Sequence, residues 1–515
     1  MGRKTPRDDP SAGGGAEQSD KTDEDEDEDE EQQKKKRALE IARRRASHFA
    51  HFGSDDGPST SDPNPSVMVG GDSARTLGPW NTAYQLADAK ADAKRKREDK
   101  LLDERRKADR DEQAVYASWT PQKTGERPAS VPTLRSRSRA VCTELIEHVT
   151  SLAGVPDDVR HDLQLEVCRQ RKMTPETFAK LFAAADVGQS IKIDDCSLIE
   201  EGVMREALRE AVHPGLGELS LQLCGRGFTD TVATALVHED DVSFAGIETL
   251  VLGGAYRLTD DGLAEVLRRA SDLRSLGIPN CSRIEGSVVN RLPEMTPKLT
   301  SLDLSWCGGI SRDILSSALA KLDQLVTISL DGVVEVDDKL LASDEVLRGM
   351  RNVSLLSVCN TKLTDAGLGR LAAALPKLRG IALDHCQVTS VGITAMVDAC
   401  PGLTSVSIKK CTRVDDAAVA YLVNTAELQT LVLNGVGKGV TGVSVEALLR
   451  GRSSKTLAHL DLSWCRHVPE KAIGFLIESL PSLKTVKLFG CNQLGKDFSA
   501  RVRNERVSIV GLDGE

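Results

Sequence analysis

Cysteine, histidine and turn glycine are the residue types in this 515-residue chain that could bind metal, attack a carbonyl or cradle a phosphate. Twelve cysteines are present. No Cys-x-x-Cys occurs, and Cys and His share no metal-ligand spacing, which argues against zinc. Eight of the twelve (Cys196, Cys224, Cys281, Cys307, Cys386, Cys411, Cys465 and Cys491) instead close copies of one pattern, Leu-x-x-Leu-x-Leu-x-x-Cys. No Gly-rich phosphate loop follows a strand: Gly13-Gly14-Gly15 stands in polar sequence, and Cys307-Gly308-Gly309 in a repeat turn. Neither a nucleophile elbow, a His-Glu-x-x-His run nor a triad cluster is visible. Trp306 and Trp464 precede repeat-closing cysteines in equivalent places and read as packing, and His385 and His459 as scaffold residues beside strands. Aromatic residues, at 3%, are too few for a stacking platform on single-stranded nucleic acid. These residues predict no enzyme, no metal, no cofactor and no small-molecule substrate.

The pattern recurs every 25 to 31 residues from Gly188 onward, and the hexapeptide Leu-Asp-Leu-Ser-Trp-Cys stands unchanged at 302–307 and 460–465. Four copies end differently, at Ala255, Val333, Thr361 and Val436, which brings the count to twelve. Alternation in Leu460-Asp461-Leu462-Ser463 suits a strand buried on one face. The segment after Asp365 then puts Leu368, Leu371 and Leu375 on one helical face. Capping pairs such as Thr259-Asp260, Thr364-Asp365 and Val414-Asp415 mark helix starts. One such unit cannot bury its own apolar face, so neighbours must stack into a continuous core. The expected fold is an α/β leucine-rich-repeat solenoid, a horseshoe of about twelve repeats over 186–515 with its strands on the concave side.

Residues 1–140 carry 27 Lys/Arg against 28 Asp/Glu, segregated into blocks. Nine consecutive acids, Asp23 to Glu31, precede Lys34-Lys35-Lys36-Arg37 and Arg43-Arg44-Arg45, and a second basic block, Lys94-Arg95-Lys96-Arg97, follows. Such a segment buries too little apolar surface to order itself and is expected to be a disordered, charge-segregated tail, with candidate helices at 32–52 and 86–113. Its basic clusters suit nuclear import or phosphate contact, or simply solubility. Residues 141–185 read as two or three amphipathic helices, with starts at Val155-Pro156-Asp157-Asp158 and Thr174-Pro175-Glu176. They form a helical N-terminal cap or an adaptor-binding region. Thiols buried in repeats suit the cytosol or nucleus, and no signal-peptide core or membrane-length apolar run is present.

Strand positions pointing away from the core include Asp194, Gln222, Pro279, Asp303, Ser305, Asp331, Asp384, Lys409, Asn434, Asp461, Ser463, Lys487 and Phe489. Lysines appear only late, so this face is expected to grip a protein rather than a phosphate backbone. Contact with DNA is expected in the tail or on a C-terminal basic patch of Lys496, Arg501, Arg503 and Arg506.

Over roughly 140–515 the chain resembles the Rad-seven-type leucine-rich-repeat subunit of the eukaryotic global-genome nucleotide-excision-repair factor. The likeness is carried by Lys172-Met173-Thr174-Pro175-Glu176-Thr177-Phe178-Ala179-Lys180-Leu181-Phe182, which runs into Ile191, Ile193 and Asp195-Cys196. Leu219-Ser220-Leu221-Gln222-Leu223-Cys224-Gly225, Leu431-Val432-Leu433-Asn434-Gly435, Leu488-Phe489-Gly490-Cys491 and Val507-Ser508-Ile509-Val510-Gly511 extend it. F-box leucine-rich-repeat proteins share the cysteine-ended consensus, so the junction segment decides between them. The resemblance implies a nuclear, non-enzymatic subunit paired with a Swi/Snf-class RING ATPase, acting on ultraviolet-damaged DNA in chromatin. It also implies a link to a cullin ubiquitin ligase through an elongin C-like adaptor. A leucine four residues before a cysteine, the mark of that adaptor box, is absent around Cys142 and Cys168. The alternative reading is an F-box-type substrate receptor or cell-cycle regulator with a Skp-type adaptor.

Overall fold

The computed structural model describes residues 96, 115–121, 133–182, 188–239, 242–495 and 497–512, all within one compact unit, Tyr84–Glu515. Leu302 stands in register between Leu276 and Ile328. The same apolar column continues through Leu356, Ile381, Val406, Leu431, Leu460, Val486 and Ile509. It forms because alternate residues of each short strand point inward, so every unit offers an apolar side chain to the same place. Thirteen parallel strands, from Ser190–Ile193 to Ser508–Val510, make one sheet in sequential order. Twelve belong to the units counted in the sequence, and Ser508–Val510 is the thirteenth. A helix follows each of the first twelve, which gives the expected α/β leucine-rich-repeat solenoid. Among the described residues no helix is long and apolar enough to cross a membrane.

The helix starts do more than cap. Thr259 and Thr364 make no side-chain cap bond within their own helices. Thr259 instead donates its N–H and Oγ1–H to the two oxygens of Asp230, one repeat earlier, at 2.8 and 2.9 Å. Asp338 receives Thr364, Asp365 receives Thr389 and Asp416 receives Thr441 in the same way. Asp260 accepts from the N–H groups of Glu285, Gly286 and Val288. A first-turn aspartate therefore satisfies orphan donors of the next helix and ties the helical side of one repeat to that of the next. Gly262, Gly367 and Gly392 sit where a β-carbon would strike Asp230, Asp338 and Asp365, so these glycines admit the latch.

Ahead of the first strand, the helix Asp157–Arg169 buries Leu163 and Val167 and packs on Ser190–Ile193. Thr174 caps the turn Pro175–Thr177, accepting from Thr177 N–H at 3.2 Å, and Phe178, Leu181 and Phe182 are buried beyond it. The helix Leu134–Glu144 lies on Asp157–Arg169, so the boundary expected at 140 falls inside a helix. Residues 115–121 are also part of the folded unit rather than tail, because Tyr116 and Trp119 are buried against it. The acidic run and the clusters Lys34, Lys35, Lys36, Arg37, Arg43, Arg44, Arg45, Lys94, Arg95 and Arg97 lie outside the described residues. Lys96 is exposed.

Candidate protein-interaction surface

Each strand ends in a turn that brings two functions together. Six of the eight repeat-closing thiols donate to a carbonyl of the preceding repeat, among them Cys281 to Leu252 O at 3.2 Å, Cys307 to Ile278 O at 3.0 Å and Cys411 to Leu383 O at 3.1 Å. Cys386, Cys465 and Cys491 repeat the bond to Val358, Leu433 and Leu462. Burial pushes these thiols up, Cys281, Cys411 and Cys465 to about 12 and Cys307 and Cys491 to about 11. They remain protonated and unreactive as nucleophiles, since the thiolate is the reactive form.

The residue before the closing position is left-handed in repeat after repeat: Leu223, Gly254, Asn280, Trp306, Gly332, Asn360, His385, Lys410, Gly435, Trp464 and Gly490 have φ between 54° and 68°. The conformation aims the N–H at the next repeat, as in Trp306 N to Asp331 O and Trp464 N to Phe489 O, both 2.7 Å. Asparagine and glycine tolerate it; tryptophan, leucine, histidine and lysine do not adopt it without cost. These bulky side chains point outward. Trp306 is 50% exposed, Trp464 49% and Leu223 54%, so the tryptophans read as packing in the sequence form part of the surface. Each ring covers the glycine that holds the same place in the following repeat, Gly332 or Gly490. Around Trp464 the Arg466 guanidinium lies 5.2 Å from the ring centroid, and Lys487 and Phe489 are exposed. His385 and His459 are exposed as well.

Of the residues expected at outward strand positions, Asp303, Asp461 and Lys487 stand in strands, whereas Gln222, Ser305, Asp331, Asp384, Lys409 and Asn434 lie in the turns just beyond them, and most are tied down. Asp331 Oδ1 accepts from Cys359 N at 2.7 Å and Ser357 Oγ at 2.6 Å. Asp384 Oδ1 accepts from Lys409 N and Ser407 Oγ. Asp303 and Asp461 accept from Ser305 N and Ser463 N, both at 2.9 Å. Ser305 is buried and bonds Ser329 at 2.7 Å. Gln222 lies over Gly253. Gln222, Asn434 and Lys409 are half-buried, while Lys487 is exposed. Asp331 and Asp384 thus tie one turn to the next, and Asp303 and Asp461 brace their own, each giving one oxygen to the scaffold.

The expected C-terminal basic patch is divided. Arg501 pairs with Glu470 at 2.6 Å and with Asp497 at 3.3 Å, and Arg503 bonds Thr120. Arg506 lines an open depression with Lys455 and Lys484. Lys496 lies outside the described residues. The left-handed column was legible only indirectly, through the two identical Ser-Trp-Cys endings.

A family model described as Leucine Rich repeat matches residues 297–317. The DNA repair protein rhp7 of Schizosaccharomyces pombe is 26% identical over 386 residues, 72% of this chain and 65% of that protein. The DNA repair protein RAD7 of Saccharomyces cerevisiae is 26% identical over 373 residues, 68% of this chain and 62% of that protein. The chain therefore spans somewhat less than two thirds of the length of these relatives. The crystal structure of Rad7 and Elc1 complex in yeast includes a chain of similar fold, with a TM-score of 0.50 and 17% identity, covering 73% of this chain and 92% of that one. Shorter likeness, 25% over 177 residues, links it to a putative F-box/LRR-repeat protein of Arabidopsis thaliana, 34% of this chain and 33% of that protein. The chain is a homologue of the DNA repair proteins rhp7 and RAD7, a leucine-rich-repeat protein related to the F-box/LRR proteins.

Proposed function

We propose that this chain is a non-enzymatic scaffold and recognition subunit of a nuclear DNA-repair complex acting in global-genome nucleotide excision repair. The observation that carries the reading is the likeness to two DNA repair proteins over about 70% of the chain. The solenoid holds a Swi/Snf-class RING ATPase, with the half-exposed Trp306, Trp464 and Phe489 as anchors, since aromatic side chains on a rigid frame are the residues that dominate protein interfaces. Contact with damaged DNA comes through the assembled complex and the basic clusters before residue 98.

The relative of similar fold was crystallised with Elc1, which supports a link to a cullin-type ubiquitin ligase through an elongin C-like adaptor. The helix Leu134–Glu144 offers a face for it: Leu134 is 81% exposed, Val141 54% and Leu145, just past the helix end, 51%. Spaced seven and four residues apart, they share one stripe that is at least half exposed. Affinity purification of the full chain from nuclear extract, read by mass spectrometry, tests the proposal. A Swi/Snf-class ATPase and an elongin C-like protein are expected. Recovery of a Skp-type adaptor alone would instead make the chain an F-box-type receptor.

A further inference from the structure

The segment 115–121 is held by residues far from it in sequence. Val115 N–H donates to Glu446 Oε1 at 3.0 Å, and Arg503 donates to the carbonyl and hydroxyl oxygens of Thr120 at 3.4 Å. Between these ends Tyr116 and Trp119 are 6% and 5% exposed. Two glycines make their seats. A β-carbon on Gly442, the first residue of the helix Gly442–Arg450, would overlap the Tyr116 ring and hydroxyl. One on Gly474, inside the helix Glu470–Ser479, would overlap the Trp119 indole. Phe498 closes the second seat, its ring centroid 6.3 Å from that of Trp119.

Glycine inside a helix lowers helix stability, so Gly474 calls for a reason. Gly442 also stands where Asp338, Asp365 and Asp416 open their helices and latch the next repeat. At this junction the latch has no side chain, and Tyr116 covers it. We infer that the segment 115–121 is an intramolecular ligand of the last repeats, a Tyr-x-x-Trp segment that completes a groove across the helices Gly442–Arg450 and Glu470–Ser479. The next helix cap, Pro469, offers neither an N–H nor a hydroxyl to latch, and the segment instead bolts the N-terminal region to the C-terminal end of the solenoid. Thr133, the cap of the helix Leu134–Glu144, follows Thr120 by thirteen positions. A chain of that length reaches at most about 45 Å, so the seated segment also limits how far the two ends of the solenoid can part.

Hydrogen exchange on the full chain tests this, with Trp119→Ala and Gly474→Val as variants and peptides from 190–330 as the internal control for folding. In the wild type, peptides covering 115–121 should exchange at least about tenfold more slowly than an unstructured chain. Each variant should abolish that protection and speed exchange across 442–479, leaving 190–330 unchanged. Trp119→Ala alters no repeat residue, so its result stands even if Gly474→Val unfolds the helix it occupies. Intrinsic exchange of 115–121 in the wild type would overturn the inference. So would release of 115–121 by Trp119→Ala with 442–479 unaffected.

Discussion

The Trp464 indole lies over Gly490, and a β-carbon on that glycine would stand 2.6 Å from the ring. Both residues are left-handed and directly precede the closing cysteines of successive repeats. The same relationship holds in an earlier pair of repeats, between Trp306 and Gly332. A bulky side chain in this backbone region costs about 1 kcal/mol or more, a cost that a glycine avoids. Trp306→Gly and Trp464→Gly are therefore expected to change stability by no more than about 1 kcal/mol, as relief of the backbone offsets the lost ring contacts. If the rings are partner anchors, the same substitutions should weaken complex formation by at least about 2 kcal/mol, roughly thirtyfold. Urea titration and partner titration on the same samples separate the two effects; a large stability loss with unchanged binding would make the rings packing residues.

Asp331 and Asp384 each accept a backbone N–H, from Cys359 and Lys409, together with a serine hydroxyl. Replacement by Ala leaves those donors without a partner and should cost about 1–3 kcal/mol per site. Replacement by Asn retains an accepting oxygen while removing the charge, and should cost less than half as much. Thermal melts of the four single variants check this. Equal losses for Ala and Asn would mean that the charge, not the acceptor, matters.

The closing thiols give an alkaline signature. Their folded values, about 11 for Cys307 and Cys491 and about 12 for Cys281, Cys411 and Cys465, lie above the ordinary thiol value because burial disfavours the thiolate. Unfolded thiols lose protons first, so the unfolded state binds fewer protons above about pH 9. Stability should thus be fully present below that pH and fall as pH rises toward 11–12, by up to about 1.4 kcal/mol per thiol per pH unit. Denaturant titrations at pH 8 and pH 10 measure it, and Cys411→Ala should flatten the dependence. A thiol reagent at pH 8 should meanwhile modify exposed Cys142 quickly and the ten buried cysteines only on unfolding.

Leu134, Val141 and Leu145 are exposed and lie outside the core. Changing all three to Ser should alter folding stability by less than about 1 kcal/mol while abolishing capture of an elongin C-like adaptor. Adaptor capture at wild-type level would move that interface elsewhere.

The solenoid was legible because a parallel stack repeats one demand, an inward apolar residue at fixed spacing, and Leu302, Ile328 and Leu356 each meet it. The cysteine endings were legible for the same reason. Binding residues follow no such period. Alternation predicts Asp331 and Asp384 on the strand face away from the core, but it does not show that the strands end two residues earlier, at Ser329 and Ala382, or that the Ser357 and Ser407 hydroxyls engage them. Trp306 and Trp464 looked like packing because the sequence does not reveal the sign of φ at a non-glycine residue. Tyr116 and Trp119 carry no sequence signal of burial, because they follow a highly charged stretch and their partners, Gly442 and Gly474, lie more than three hundred residues away.

The most direct measurement is quantitative co-purification of the full chain, wild type against the double variant Trp306→Gly/Trp464→Gly with a matched melting temperature. The wild type should recover a Swi/Snf-class ATPase, and the double variant at least about tenfold less. Undiminished recovery by the double variant, or a wild-type eluate holding only a Skp-type adaptor, would contradict a repair scaffold that grips its partner along the tryptophan-bearing strand ends.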